Sequence, residues 1–138
     1  MGRVPGGALE SAEEAARAAL DRFLAAFTAA DPAAILALFW PDALVWGTAM
    51  PDLATEPEAV RAYFAPLGRR GPGERRAAWR SGRVLALSDS VALVSGHWEV
   101  GPGSGSVTEV LPLRLSIAVA RRSSEWRILQ FHSSPLPG

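Results

Sequence analysis

Four side chains in the second half of the chain are of the types that carry acid–base or anion chemistry: His97, Glu99, Arg114 and His132. His97 and Glu99 are two residues apart, so in a strand both project from one face. An imidazole titrates near neutral pH, and beside a carboxylate it can both give and take a proton. Arg114 offers a planar fork of donors to a carboxylate or an oxyanion. His132 is followed by Ser133 and Ser134, but neither serine has the strand–turn–helix setting of a nucleophile elbow. His132, Arg114 and His97 are therefore the candidate catalytic residues, and Trp46, Thr48, Tyr63 and Trp98 are the candidate walls of a ligand pocket. A purely structural reading stands beside this one. His132 can hydrogen-bond backbone or Arg114, and Arg114 can pair with Glu99 or Glu109 across an interface. Trp46, Trp79, Trp98 and Trp126 suit a core or a subunit interface equally well.

Several chemistries are excluded or disfavoured by composition. There is no cysteine, hence no disulfide, thiolate metal site or cysteine nucleophile. The 2 histidines lack tight spacing to each other or to acids, so neither a metal nor another cofactor is expected. The 14 basic residues are all arginine and are balanced by 14 acidic ones. The lack of lysine, with abundant Ala, Gly and Pro, fits a GC-rich coding bias. Zero net charge gives no general pull toward nucleic acid or an anionic membrane. Arg69-Arg70 and Arg75-Arg76 lie in a Gly/Pro-rich loop without interleaved aromatics, so they read as a solvated loop rather than a nucleic-acid surface. The first seven residues contain no apolar h-region, and no apolar run approaches membrane-spanning length. The expectation is a cytoplasmic protein without a membrane partner.

The candidate residues need elements to position them. The final apolar stretch, Trp126 to Ser133, reads as a strand that must pair with earlier ones. Three helices are predicted before it. The first runs from Leu9 to Ala30, with Leu9, Ala12, Ala16, Leu20, Phe23, Leu24 and Phe27 on one face and a capping box at Ser11 and Glu14. The second runs from Pro32 to Phe39, capped by Asp31 and ending before Pro41. The third runs to about Leu67 from a second capping box at Thr55-Glu56-Pro57-Glu58, with Val60, Tyr63, Phe64 and Leu67 facing inward. A short strand, Ala43 to Trp46, separates the second and third helices. From Ala77 the period changes to two, which predicts strands over 77–87, 91–100, 107–120 and 126–133. Pro112 implies a bulge or an edge. Short turns make these strands an antiparallel meander. The fold class is α+β: three N-terminal helices on a curved, mostly antiparallel sheet. Residues 9–137 form a single domain behind a flexible start, 1–8. The face of the third long strand that carries Val110, Pro112, Ala118 and Ala120 is too apolar to be simply wet. This predicts a homodimer or larger oligomer through the sheet.

The order of these pieces resembles a known family. "PDALVWGT", "TEPEAVRAYF" and a meander ending "RLSIAVARRSSEWRILQFHSSPLP" are similar to the SnoaL-like branch of the NTF2-like superfamily, and to the bacterial relatives of the calcium/calmodulin-dependent kinase II association domain. The resemblance implies an NTF2-like cone with an internal pocket for a small organic molecule, and a dimer or larger ring. It does not imply one chemistry, because this fold hosts isomerases, dehydratases, cyclases and assembly modules. The tyrosine and general-base aspartate of the ketosteroid isomerases fall on Phe23 and Gly47 here, and neither can move a proton. Pocket arginines of the kinase association domain fall on Ile117 and Ser133, which implies a more apolar pocket. The Asp-Arg-Asp set of the fold's epoxide hydrolases has no match around Arg114. The resemblance thus implies a binder of a small, mainly apolar molecule that could act on it by cofactor-free acid–base chemistry. The alternative is a non-catalytic assembly module.

Overall fold

The structure is a computed structural model that describes residues 11–103 and 109–137. The predicted flexible start, Leu9, Val107 and Thr108 lie outside the described residues. Helix α1, Ala12–Thr28, begins as its sequence dictates. Ser11 Oγ accepts from Glu14 N–H at 3.0 Å, and Glu14 Oε1 accepts from Ser11 N–H at 3.0 Å. Its buried stripe includes Ala12, Ala16, Leu20 and Phe23. It closes with crossed bonds from Ala30 N–H to Phe27 O and from Asp31 N–H to Ala26 O, with Ala30 at φ 57°. Asp31 Oδ1 then caps α2, Pro32–Leu36, by accepting from Ala34 N–H at 3.1 Å.

Helix α2 is shorter than predicted because Leu38 and Phe39 are taken by the sheet. Ile128 N–H donates to Leu38 O at 2.7 Å, and strand β1 runs over Phe39–Trp46 rather than starting at Ala43. Pro41 is tolerated there because β1 is an edge strand. Helix α3, Pro57–Phe64, continues as a 3-10 turn over Ala65–Arg69. The second capping box is corrected. Glu56, not Thr55, is the N-cap, and no side-chain bond is made there, so proline in the first turn is the start signal that remains.

Strands β2 (Arg75–Ser88), β3 (Val91–Pro102), β4 (Leu111–Arg122) and β5 (Glu125–Pro135) form the antiparallel meander. The sheet order is β1-β5-β4-β3-β2, with β1 parallel to β5. The last strand is thus interior to the sheet, as an apolar segment requires. Pro112 makes no bulge. It faces Glu99 in regular register, and the last β4–β5 pair is Leu113 with Pro135, so Pro112 sits one residue beyond that ladder, at an edge. The register shifts fall instead between Phe39 and Leu44, Trp79 and Ser81, Ala86 and Ser88, and Ala118 and Val119.

Helix α1 lies across the inner face against β2 to β5, α3 lies against β1, and α2 bridges the two helices. Alternation on β4 puts Leu113, Leu115, Ile117 and Val119 into the core at 2% exposure or less. Phe23 is the hub of an aromatic cluster, with ring centroids 5.1 Å from Phe131, 5.6 Å from Trp98 and 6.2 Å from Phe64. Burial of each such ring stabilises the fold by about 1.5–3 kcal/mol. The result is an α+β cone of helices on one face of a curved sheet. Among the described residues, no helix is long and apolar enough to cross a membrane.

Candidate functional site

The cone holds a half-open cavity of about 230 Å³. Phe23 and Phe27 of α1, Leu67 of the 3-10 turn, Val100 of β3, Leu113 of β4 and Phe131 of β5 supply apolar wall. The strand walls face inward by the same alternation that builds the core.

Polar groups enter from few places. The turn after β1 is closed by Met50 N–H donating to Gly47 O at 3.2 Å, and it carries Thr48. Thr48 N–H donates to the Tyr63 hydroxyl at 3.0 Å, leaving the phenolic hydrogen available to the cavity. Thr48 Oγ1 and Ser133 Oγ lie 2.8 Å apart, and Trp98 Nε1 donates to Ser133 Oγ at 3.2 Å. Ser133 is 2% exposed, so this hydroxyl satisfies the indole from beneath the wall. No buried side-chain nitrogen or oxygen among the described residues lacks a partner. Thr48, Tyr63 and Trp98 therefore come together at the cavity. Gly47 makes this possible: a Cβ there would fall on the Tyr63 ring and its hydroxyl. The ring occupies the space that a side chain at position 47 would fill.

The rim carries two guanidinium groups whose sequence context had pointed to solvent. Arg70, just past the 3-10 turn, and Arg75, which opens β2, are half-buried and line the cavity, whereas Arg69 and Arg76 are exposed. In the loop between them, Gly73 N–H donates to Thr28 O at 2.7 Å, with Gly73 at φ 78°, where glycine carries no steric cost. The sequence signal was weak. Arg75 begins the period-two run and Arg70 follows an inward-facing helix, but only the loop's anchoring turns them to one cavity.

The candidate catalytic residues are placed elsewhere: the sequence left open whether they face the cone or an interface, and they lie outside the cone. Trp98 points inward, so its neighbour His97 points out; Leu113 and Leu115 put Arg114 outside; Phe131 and Ser133 put His132 outside. All three are exposed on the outer face of the sheet. His97 faces Arg114 across β3 and β4, and His132 lies between Ser116 and Trp46. Trp46 is also on this face, 41% exposed, with its ring 6.0 Å from that of His132. Arg114 Nε is 3.3 Å from Ser134 Oγ, and Glu99 pairs with Arg80 at 3.5 Å, not with Arg114. Trp79 and Trp126 are half-buried and pack against the core.

Electrostatic perturbation lies away from the cavity. Arg122 donates to both Asp42 carboxylate oxygens, at 2.8 and 3.0 Å, and holds that carboxyl below its ordinary value of 3.8. Among the described residues lining the cavity there is no His, Asp or Glu, and no group of three potential metal ligands occurs among the described residues. The site can enclose an apolar body and donate hydrogen bonds from Tyr63, Thr48 and the two arginines.

Comparison with known proteins places this geometry. The SnoaL-like domain family matches residues 16–137. A calcium/calmodulin dependent protein kinase II association domain-like structure from Xanthomonas campestris is 20% identical over 99% of this chain and 98% of its own, with a TM-score of 0.78. A ketosteroid isomerase-like protein from Erwinia carotovora atroseptica is 17% identical over 91% of this chain and 97% of its own, with a TM-score of 0.73. An NTF2-like protein with a cystatin-like fold from Novosphingobium aromaticivorans is 15% identical over 92% and 83%, with a TM-score of 0.74. No curated protein matches the chain in sequence.

Proposed function

The chain belongs to the SnoaL-like domain family, and on that premise we propose that it binds a small, mainly apolar organic molecule inside its cone. The observation that carries this reading is the apolar cavity into which Thr48, Tyr63 and Trp98 converge. Concave, mostly apolar sites with a few oriented polar groups are the usual form of ligand pockets. Binding is favoured over acid–base turnover, because the described residues of the lining offer hydrogen-bond donors but no imidazole or carboxylate. Ketosteroid-isomerase chemistry in particular lacks support, since the resemblance puts Phe23 and Gly47 where that reaction needs an acid and a base. The test is a fragment screen by ligand-observed NMR on the wild type and on Val100→Phe, which narrows the cavity. Hits that bind the wild type and are lost in a folded variant support the reading. Hits that survive the narrowing would place binding elsewhere and sink it.

A second reading, compatible with the first, is self-association through the outer face. A row across the sheet reads Leu44, Gln130, Ala118, Leu93 and Leu85 in register, and Leu44 and Leu85 are 41% and 58% exposed. Trp46 stands in the adjacent row beside His132. A second copy of this chain is the occupant that such a face fits, with His97, Arg114 and His132 at the contact rather than in a pocket.

A further inference from the structure

Resting on the cavity reading, we infer that the bound molecule is a small carboxylic acid in its ionised form, with its apolar body in the cone and its carboxylate on Arg70 and Arg75. Among the described residues neither guanidinium makes an ion pair, although both are half-buried at the rim of an apolar cavity. The nearest acid in sequence is Glu74, whose Oε1 accepts from Gly71 N–H at 2.9 Å and so closes the loop instead of neutralising its neighbours. The loop is held in place before any ligand arrives. Arg70 N–H donates to Leu67 O at 3.1 Å, Glu74 N–H to Gly71 O at 3.0 Å, Gly73 N–H to Thr28 O at 2.7 Å, and Gly103 N–H to Glu74 O at 3.0 Å. Two arginines on an anchored backbone, lining an apolar cavity and without an anion partner among the described residues, suit a compact planar anion, and the arginine fork matches a carboxylate in a bidentate way. The chain has no net charge, so the attraction is local to this rim. A volume of about 230 Å³ is below the ~300–1,000 Å³ of drug-sized sites, which suits a buried body of about one ring or a short alkyl chain.

The experiment titrates three acids, benzoate, phenylacetate and hexanoate, and their primary amides into the full chain by calorimetry. Each amide keeps the shape of its acid and removes the charge. The acids are expected to bind about ten- to a hundredfold more tightly than the amides, as charge-assisted hydrogen bonds dictate. Arg70→Gln and Arg75→Gln should each shrink that ratio, their combination should abolish it, and Arg70→Lys should restore part of what Arg70→Gln loses. Acids and amides that bind equally well would overturn the carboxylate while leaving the cavity reading in place. The carboxylate is overturned in the same way if no acid binds while neutral compounds sensitive to Val100→Phe do. If no compound of either kind binds, both readings fall together.

Discussion

The contact between Gly47 and Tyr63 governs the polar corner of the cavity. The phenol stands where any side chain at position 47 would stand, and its hydroxyl satisfies the Thr48 N–H. Gly47→Ala should therefore push the ring aside and leave that N–H without its acceptor. The expected loss is about 1–3 kcal/mol from overpacking and about 1 kcal/mol more from the missing bond. Tyr63→Phe removes the hydroxyl alone and should cost only the latter. Urea unfolding of the two variants checks this. A Gly47→Ala variant no less stable than Tyr63→Phe would mean that the ring yields freely and that its position is not enforced. At this scale the sequence was half legible. Thr48 and Tyr63 could be named as walls, but Gly47 read as a missing acid, because its role as space for a distant ring exists only in the folded chain. Arg70 and Arg75 were hidden for a similar reason: a loop's composition shows that it is polar, not which of its side chains turn inward.

Elements obey stricter rules, and more of them could be read. The capping box of α1, the Asp31-Pro32 start of α2 and the period-two meander all follow from local sequence. The outward placement of Arg114 was also latent, since it lies between Leu113 and Leu115 on a strand whose odd positions are apolar; only a bulge at Pro112 would have reversed it. The early start of β1 was not legible, because Phe39 and Pro41 look like a helix end until β5 offers Phe39 a parallel partner in Ile128. That start is held from outside. Trp40 Nε1 donates to Ala120 O at 2.9 Å, Arg122 lies 4.9 Å over the Trp40 ring, and Arg122 grips Asp42. Asp42 is held below its ordinary value of 3.8 mainly by that hydrogen bond, so its contribution to stability is present above the ordinary value and lost as pH falls through the lowered one. Thermal melts of wild type and Asp42→Asn from neutral pH into the acid range should differ at neutral pH and converge in acid. The pair is exposed, so added salt should narrow the neutral difference. A gap between the two that persists in acid would assign the effect to something other than the carboxylate charge.

The whole molecule sets two chemically different faces on one sheet. The inner face builds the core and the cavity; the outer face carries the histidines, Arg114, Trp46 and the mostly apolar row through Ala118. Because residues alternate, every strand contributes to both, and the side chains with the most reactive-looking chemistry ended on the face opposite the cavity. Self-association through the outer face predicts that the wild type sediments as a dimer or larger species at micromolar concentration. Ala118→Arg, which puts a charge into the middle of the row, should shift it to monomer with unchanged circular dichroism. A wild type that is already monomeric removes that role from the outer face.

The Gly47–Tyr63 contact also constrains how this chain could change its trade. An acid at position 47 collides with the tyrosine, and loss of the tyrosine alone strips the turn of its hydrogen bond while supplying no new proton carrier. Each single step is a setback, and only the two together open room for a base at the cavity wall. On the ligand-binding reading, descendants of this sequence are therefore channelled toward changes in the walls and the arginine rim more readily than toward new reactions.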